Sequence, residues 1–105
     1  MRKTFVITAF TIVFVLGAHS AKAQAAADTY KAKCMMCHGA DGSGSTPAGK
    51  AMGAIPFSSP ALIKTSDGEL IAATLNGKGK MPAYTGKLTP AQVKDLIAYI
   101  RTLQK

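Results

Sequence analysis

Tyr30-Lys31-Ala32-Lys33-Cys34-Met35-Met36-Cys37-His38-Gly39 is the stretch around which the rest of the chain arranges itself, and it contains both cysteines of the 105-residue sequence. Cysteines three apart on a helical turn share one face, and His38 follows directly. A redox-active Cys-x-x-Cys pair belongs beside a β-α-β pattern, and the chain downstream shows no strand-like alternation. A structural zinc needs four ligands drawn from Cys and His. Beyond the N-terminal segment considered next, only Cys34, Cys37 and His38 are available, which leaves zinc or a plain disulfide as weaker readings.

Working outward toward the N-terminus, Arg2 and Lys3 precede an uncharged, largely apolar run from Phe5 to Ala18, followed by Ala21-Lys22-Ala23. That order of basic, apolar and small-residue regions is a secretory signal peptide with cleavage after Ala23. The run falls short of the roughly 20 residues that cross a bilayer comfortably, so an uncleaved anchor is the alternative. Residues 1–23 are therefore expected to be signal and 24–105 a single domain, located in the periplasm. Removing Arg2, Lys3 and Lys22 leaves 10 basic residues against 5 acidic, a net charge of +5. Export makes nucleic acid an improbable partner. An acidic protein or an anionic membrane surface suits the charge, as does a simply solvated surface.

The 82 residues left of the 105 form a thin hydrocarbon core, at a size where an extra staple is usually required. Cys34-Met35-Met36-Cys37-His38 supplies one, because Cys-x-x-Cys-His is the attachment signature of a c-type haem. The two thiols can add to the vinyl groups along one porphyrin edge while His38 reaches the iron. His19 lies in the presequence, so the second axial ligand must be another residue type. Met35 and Met36 sit on the turn that delivers His38 and cannot readily reach the opposite face. Met52 has an adequate thioether but no special context. Met81 lies 43 residues after His38, and Pro82 disfavours α conformation at Met81, presenting it from an extended loop. Met81 is the favoured ligand.

The remaining elements follow from local chemistry. Gln24 to about Lys33 is alanine-rich and free of glycine and proline, which favours helix by intrinsic propensity. Gly39 to Pro60 reads as one long loop, broken by glycine and proline. Its scattered Met52, Ile55 and Phe57 suggest wrapping around a ligand. Ser66 caps a short helix, with Glu69 completing a capping box and Gly77 ending it. Thr89, Pro90 and Gln92 begin a final helix whose Val93, Leu96, Ile97, Ile100 and Leu103 recur at helical spacing. The fold class is all-α, with about three to four helices and long loops around one covalent haem.

An aromatic-bearing first helix, Cys34-x-x-Cys37-His38, a glycine-rich wrap, Met81-Pro82 and an amphipathic last helix together resemble the class I cytochromes c, in the short bacterial type. The resemblance covers residues 24–105. It implies that the first and last helices cross near right angles, with Tyr30 and Tyr99 as packing aromatics and Ala26 or Ala27 as the small contact. It also implies that the second nitrogen of His38 donates to a loop carbonyl, with Pro47 a candidate.

Histidine and methionine together leave no open iron position, which suits a one-electron carrier between larger redox proteins rather than an enzyme, and a comparatively high potential is expected. The runner-up is a haem c subunit or domain of a dehydrogenase or oxidase complex. A ligand-binding or peroxidase-like haem protein is a weaker third. Lys78, Lys80 and Lys87 lie where acidic redox partners could dock, membrane complexes are possible donors or acceptors, and a monomer is expected. Without its haem the folded chain should show a cleft bounded by Cys37, His38 and Met81.

Overall fold

In a computed structural model of the chain, residues 6, 8–12 and 18–105 are described. Eleven of the 23 residues expected to form the signal peptide, including Arg2, Lys3 and half of the apolar run, lie outside them. Among the described residues there are six helices and no strands: α1 (Ala18–Lys33), α2 (Met35–His38), α3 (Pro47–Met52), α4 (Pro60–Lys64), α5 (Asp67–Asn76) and α6 (Pro90–Thr102).

The first helix runs further back than its expected start at Gln24. No glycine or proline interrupts Ala18–Lys33, and alanine carries the highest helix propensity. Lys31 and Lys33 complement the negative end of its dipole in the last turn. The expected long loop is also shorter than its glycines and prolines suggested, because α3 and α4 form inside it. Thr46 caps α3 by accepting from the Gly49 amide, Pro47 occupies the first turn, and Gly53 closes it in the left-handed region at φ 71°. Proline suits a helix start and left-handed glycine a helix end, so the residues that read as breakers here punctuate a six-residue helix.

The last two long helices begin and end as their sequences dictate. The Ser66 hydroxyl accepts from the Glu69 amide at 3.2 Å, but the Glu69 carboxylate makes no return bond to the Ser66 amide, so the expected capping box is half formed; Gly77 ends α5 at φ 79°. Thr89 and Gln92 form a reciprocal capping box, at 3.1 and 2.9 Å. On α6, Val93, Leu96, Ile97 and Ile100 are buried, each contributing about 1.5–3 kcal/mol of apolar burial.

α6 is the central support, packed against both α1 and α5. The rings of Tyr30 and Tyr99 lie 5.2 Å apart, and Ala26 is the buried small residue on α1. The Tyr30 hydroxyl donates to the Gly39 carbonyl, pinning α1 to the chain just beyond His38. At the far end of α6, Arg101 donates to Asp67 and to the carbonyls of Leu62, Ile63 and Thr65. It thereby gathers α4, α5 and α6 around one guanidinium.

Candidate cofactor site

The short helix α2 delivers Cys34, Cys37 and His38 together, and its position is held from below by α3. Thr46 Oγ1 donates to the carbonyls of Met36 and Cys37, at 2.6 and 3.1 Å, while accepting from Gly49. The approach is tight enough that a Cβ at Gly49 would lie 2.1 Å from the Cys37 carbonyl oxygen and 2.6 Å from that of Gly44. Glycine is required there by close backbone contact and not by its own dihedral angle. This clamp went unread in the sequence, where Thr46 is one polar residue among several in an apparent loop.

Met81 arrives on the segment between α5 and α6. Lys78 and Met81 exchange backbone hydrogen bonds in both directions, at 3.1 and 2.9 Å, forming a tight turn with Gly79 at φ 56°. The Tyr84 and Thr85 amides then donate to the carbonyls of Thr74 and Leu75 at the end of α5, at 3.1 and 3.0 Å. The Met-Pro segment is thus an extended loop bound to the helix before it.

Between these two supports lies a cavity of about 550 Å³ whose lining includes Cys34, Cys37, His38 and Met81, within the 300–1,000 Å³ common for small-molecule and cofactor sites. Phe57, Leu62, Leu70, Leu96, Ile97 and Ile100 contribute apolar wall. Met52 and Ile55 also line it, at 45% and 57% exposure, whereas Met36 reaches it at 78% exposure. Met35 packs on the core instead. Geometry therefore separates Met35 from the other methionines but brings both Met52 and Met81 to the cavity.

The electrostatics of this wall favour a neutral, donor-rich site. Burial lowers the His38 pKa, which keeps the imidazole unprotonated and able to offer a lone pair. Phe57 stacks on it, with centroids 4.6 Å apart and planes at 23°. His38 Nδ1 is buried with no hydrogen-bond partner, so the expected bond to the Pro47 carbonyl is not made; α3 starts at Pro47 and presents its Thr46 side chain toward α2 instead. Both cysteines are free. Burial, chiefly, pushes the Cys34 thiol up to about 11.

A haem bound through its edge and its iron needs two thiols on one face, a nitrogen donor beside them and an apolar slot. Cys34, Cys37 and His38 on α2, bordering an apolar cavity with an orphaned imidazole nitrogen behind it, fit that group. Three lysines, Lys33, Lys78 and Lys80, also belong to the lining. Lys33 did not stand out in the sequence because it is far from the other two along the chain.

Known proteins of similar sequence and structure point the same way. A family model described as cytochrome c oxidase, cbb3-type, subunit III matches residues 21–100. Cytochrome c6 of Nostoc sp. is 32% identical over 94 residues, covering 90% of this chain and 82% of the Nostoc protein. Subunit CcoP of the cbb3-type cytochrome c oxidase of Azospirillum brasilense is 31% identical over 86 residues, 80% of this chain but only 29% of that subunit. The solved structure of the KustC0563 c-type cytochrome superposes with a TM-score of 0.70 at 34% identity, over 76% of this chain and 98% of that one.

Proposed function

Since the chain belongs to the class I cytochromes c and carries one covalently attached haem c, we propose that Cys34 and Cys37 form its thioether links and that His38 and Met81 are its axial iron ligands. The bound haem supplies one-electron chemistry at its iron, and the protein is a monohaem electron carrier. The observation that carries the residue assignment is the convergence of α2 and the Met81 loop on one apolar cavity.

Each residue has a task set by its position. Cys34 and Cys37 tether the group along one edge, so it cannot leave between encounters. His38, kept neutral by burial, holds one face. Met81 would close the other, keeping oxygen, peroxide and water away from the metal. A soft thioether and an apolar wall both favour the less charged ferrous state, raising the potential. Held on α2 and on the braced Met81 loop, the two residues would keep their places whichever oxidation state the group is in.

Acidic redox partners dock at the rim formed by Lys33, Lys78 and Lys80, with Lys87 close by over the Tyr84 ring at 5.6 Å. Charge at such a rim acts mainly on association rate. Export to the periplasm, cleavage after Ala23 and a monomeric state complete the reading. Among the described residues no helix is long and apolar enough to cross a membrane. The family model and the CcoP match favour a second reading, in which this domain serves as a haem c subunit of a terminal oxidase. Copurification separates the two: a free carrier is recovered alone from detergent extracts, an oxidase subunit with its large partner. The ligand assignment is tested by Met81→Ala and Met52→Ala, of which only the first should abolish methionine ligation.

A further inference from the structure

Three of the four hydrogen bonds that leave the Met81 loop tie it to α5, the helix immediately before it. The Thr85 hydroxyl donates to the Leu75 carbonyl at 2.6 Å, reinforcing the backbone bonds at Thr74 and Leu75. Tyr84 reaches elsewhere. Its hydroxyl donates to the Lys33 carbonyl at 3.1 Å, 51 residues back along the chain. Lys33 is the last residue of α1 and directly precedes Cys34, and both Lys33 and Tyr84 line the cavity.

The geometry points to Tyr84 as a positioning residue for the sixth iron ligand: its hydroxyl straps the Met81 loop to the backbone beside Cys34 and so slows exchange of Met81 for outside ligands. This rests on Met81 being that ligand. Met81 can leave the iron only if its loop swings away from α2, and Tyr84, three residues on, must move with it. The Lys33 end cannot follow, because the next residue is fixed to the haem. Opening therefore requires the Tyr84–Lys33 bond to break first. Burial pushes the phenol's pKa upward, so it remains a donor over the ordinary pH range.

The test uses the haem-loaded protein and the Tyr84→Phe variant, which keeps the ring and loses only the hydroxyl. Imidazole binding to the ferric form reads loop opening directly, since the methionine sulfur–iron bond must break before the imidazole nitrogen–iron bond forms, with no change in oxidation state. Thr85→Val removes a bond of the same loop to α5 and controls for general loosening. Loss of one net hydrogen bond predicts imidazole binding about three- to tenfold faster in Tyr84→Phe, with haem content and charge-transfer band intact and Thr85→Val near the wild-type rate. Equal rates in Tyr84→Phe and wild type would overturn the strap, as would equal acceleration in Thr85→Val. A wild-type ferric protein lacking the methionine–iron charge-transfer band would instead remove the Met81 assignment, and the strap with it.

Discussion

At the scale of single residues, three methionines border the cavity, Met36 on the turn that carries His38, Met52 and Met81, and of the latter two only Met81 sits in a loop braced on two sides. Met81 is held by its turn with Lys78 and by the anchoring of Tyr84 and Thr85 on α5, whereas Met52 ends the short α3 at 45% exposure. Replacing Met81 with alanine should lower the reduction potential markedly, on a scale where axial ligation spans roughly 0.8 V, and should let the ferrous protein bind carbon monoxide. Met52→Ala should leave both properties near wild type, and potentiometry on the two variants checks this. That Met81 reaches the cavity was legible because Pro82 and the spacing from His38 are read from the sequence itself. The lone His38 Nδ1 was not, since which carbonyl lies beside a ring depends on how α3 packs beneath α2.

Elements show the same division between what neighbours in sequence decide and what distant contacts decide. The capping box of α6 needs only Thr89 and Gln92, and both bonds are made; Thr89→Ala should cost about 1 kcal/mol of stability, measurable by denaturant unfolding. The short helix α3 follows a subtler grammar, in which Pro47 and Gly53 mark its two ends and not a continuous loop. Its role is revealed by Gly49, where a Cβ would collide with the Cys37 carbonyl at 2.1 Å. Gly49→Ala should destabilise the protein by about 1–3 kcal/mol, in the range of overpacked interiors, and reduce the yield of haem-loaded material because α2 can no longer rest on α3. Arg101 marks the limit of sequence reading: on the helical wheel it is one polar residue off the apolar face, yet its carbonyl partners lie 36 to 39 residues away. Its ion pair with Asp67, 69% exposed, adds little in water; the bonds to Leu62, Ile63 and Thr65 are what join α4 and α5 to α6.

For the whole molecule, the cavity explains how so short a domain holds together. Residues 24–105 bury a modest core, chiefly Tyr30, Phe57, Leu88 and the inner face of α6, and a haem held as proposed by Cys34, Cys37, His38 and Met81 would complete it. Charge follows the same geometry, with Lys33, Lys78 and Lys80 bordering the cavity. Exchanging Lys78 and Lys80 for glutamate should slow electron transfer to an acidic partner and flatten its dependence on salt, which stopped-flow rates across an ionic-strength series would show. The all-helical class and the motif at 34–38 could be read directly because periodicity and spacing encode them, and the pairing of α1 with α6 was implied by the family resemblance, while the gathering of α4 and α5 onto α6 through Arg101 emerges only in three dimensions. One optical experiment bears most directly on the central claim: the spectrum of the reduced protein, produced with haem-attachment machinery, before and after carbon monoxide. A six-coordinate c-type spectrum that the gas leaves unchanged is expected; a shifted spectrum, or a colourless protein with both thiols free, would overturn the His38–Met81 haem site.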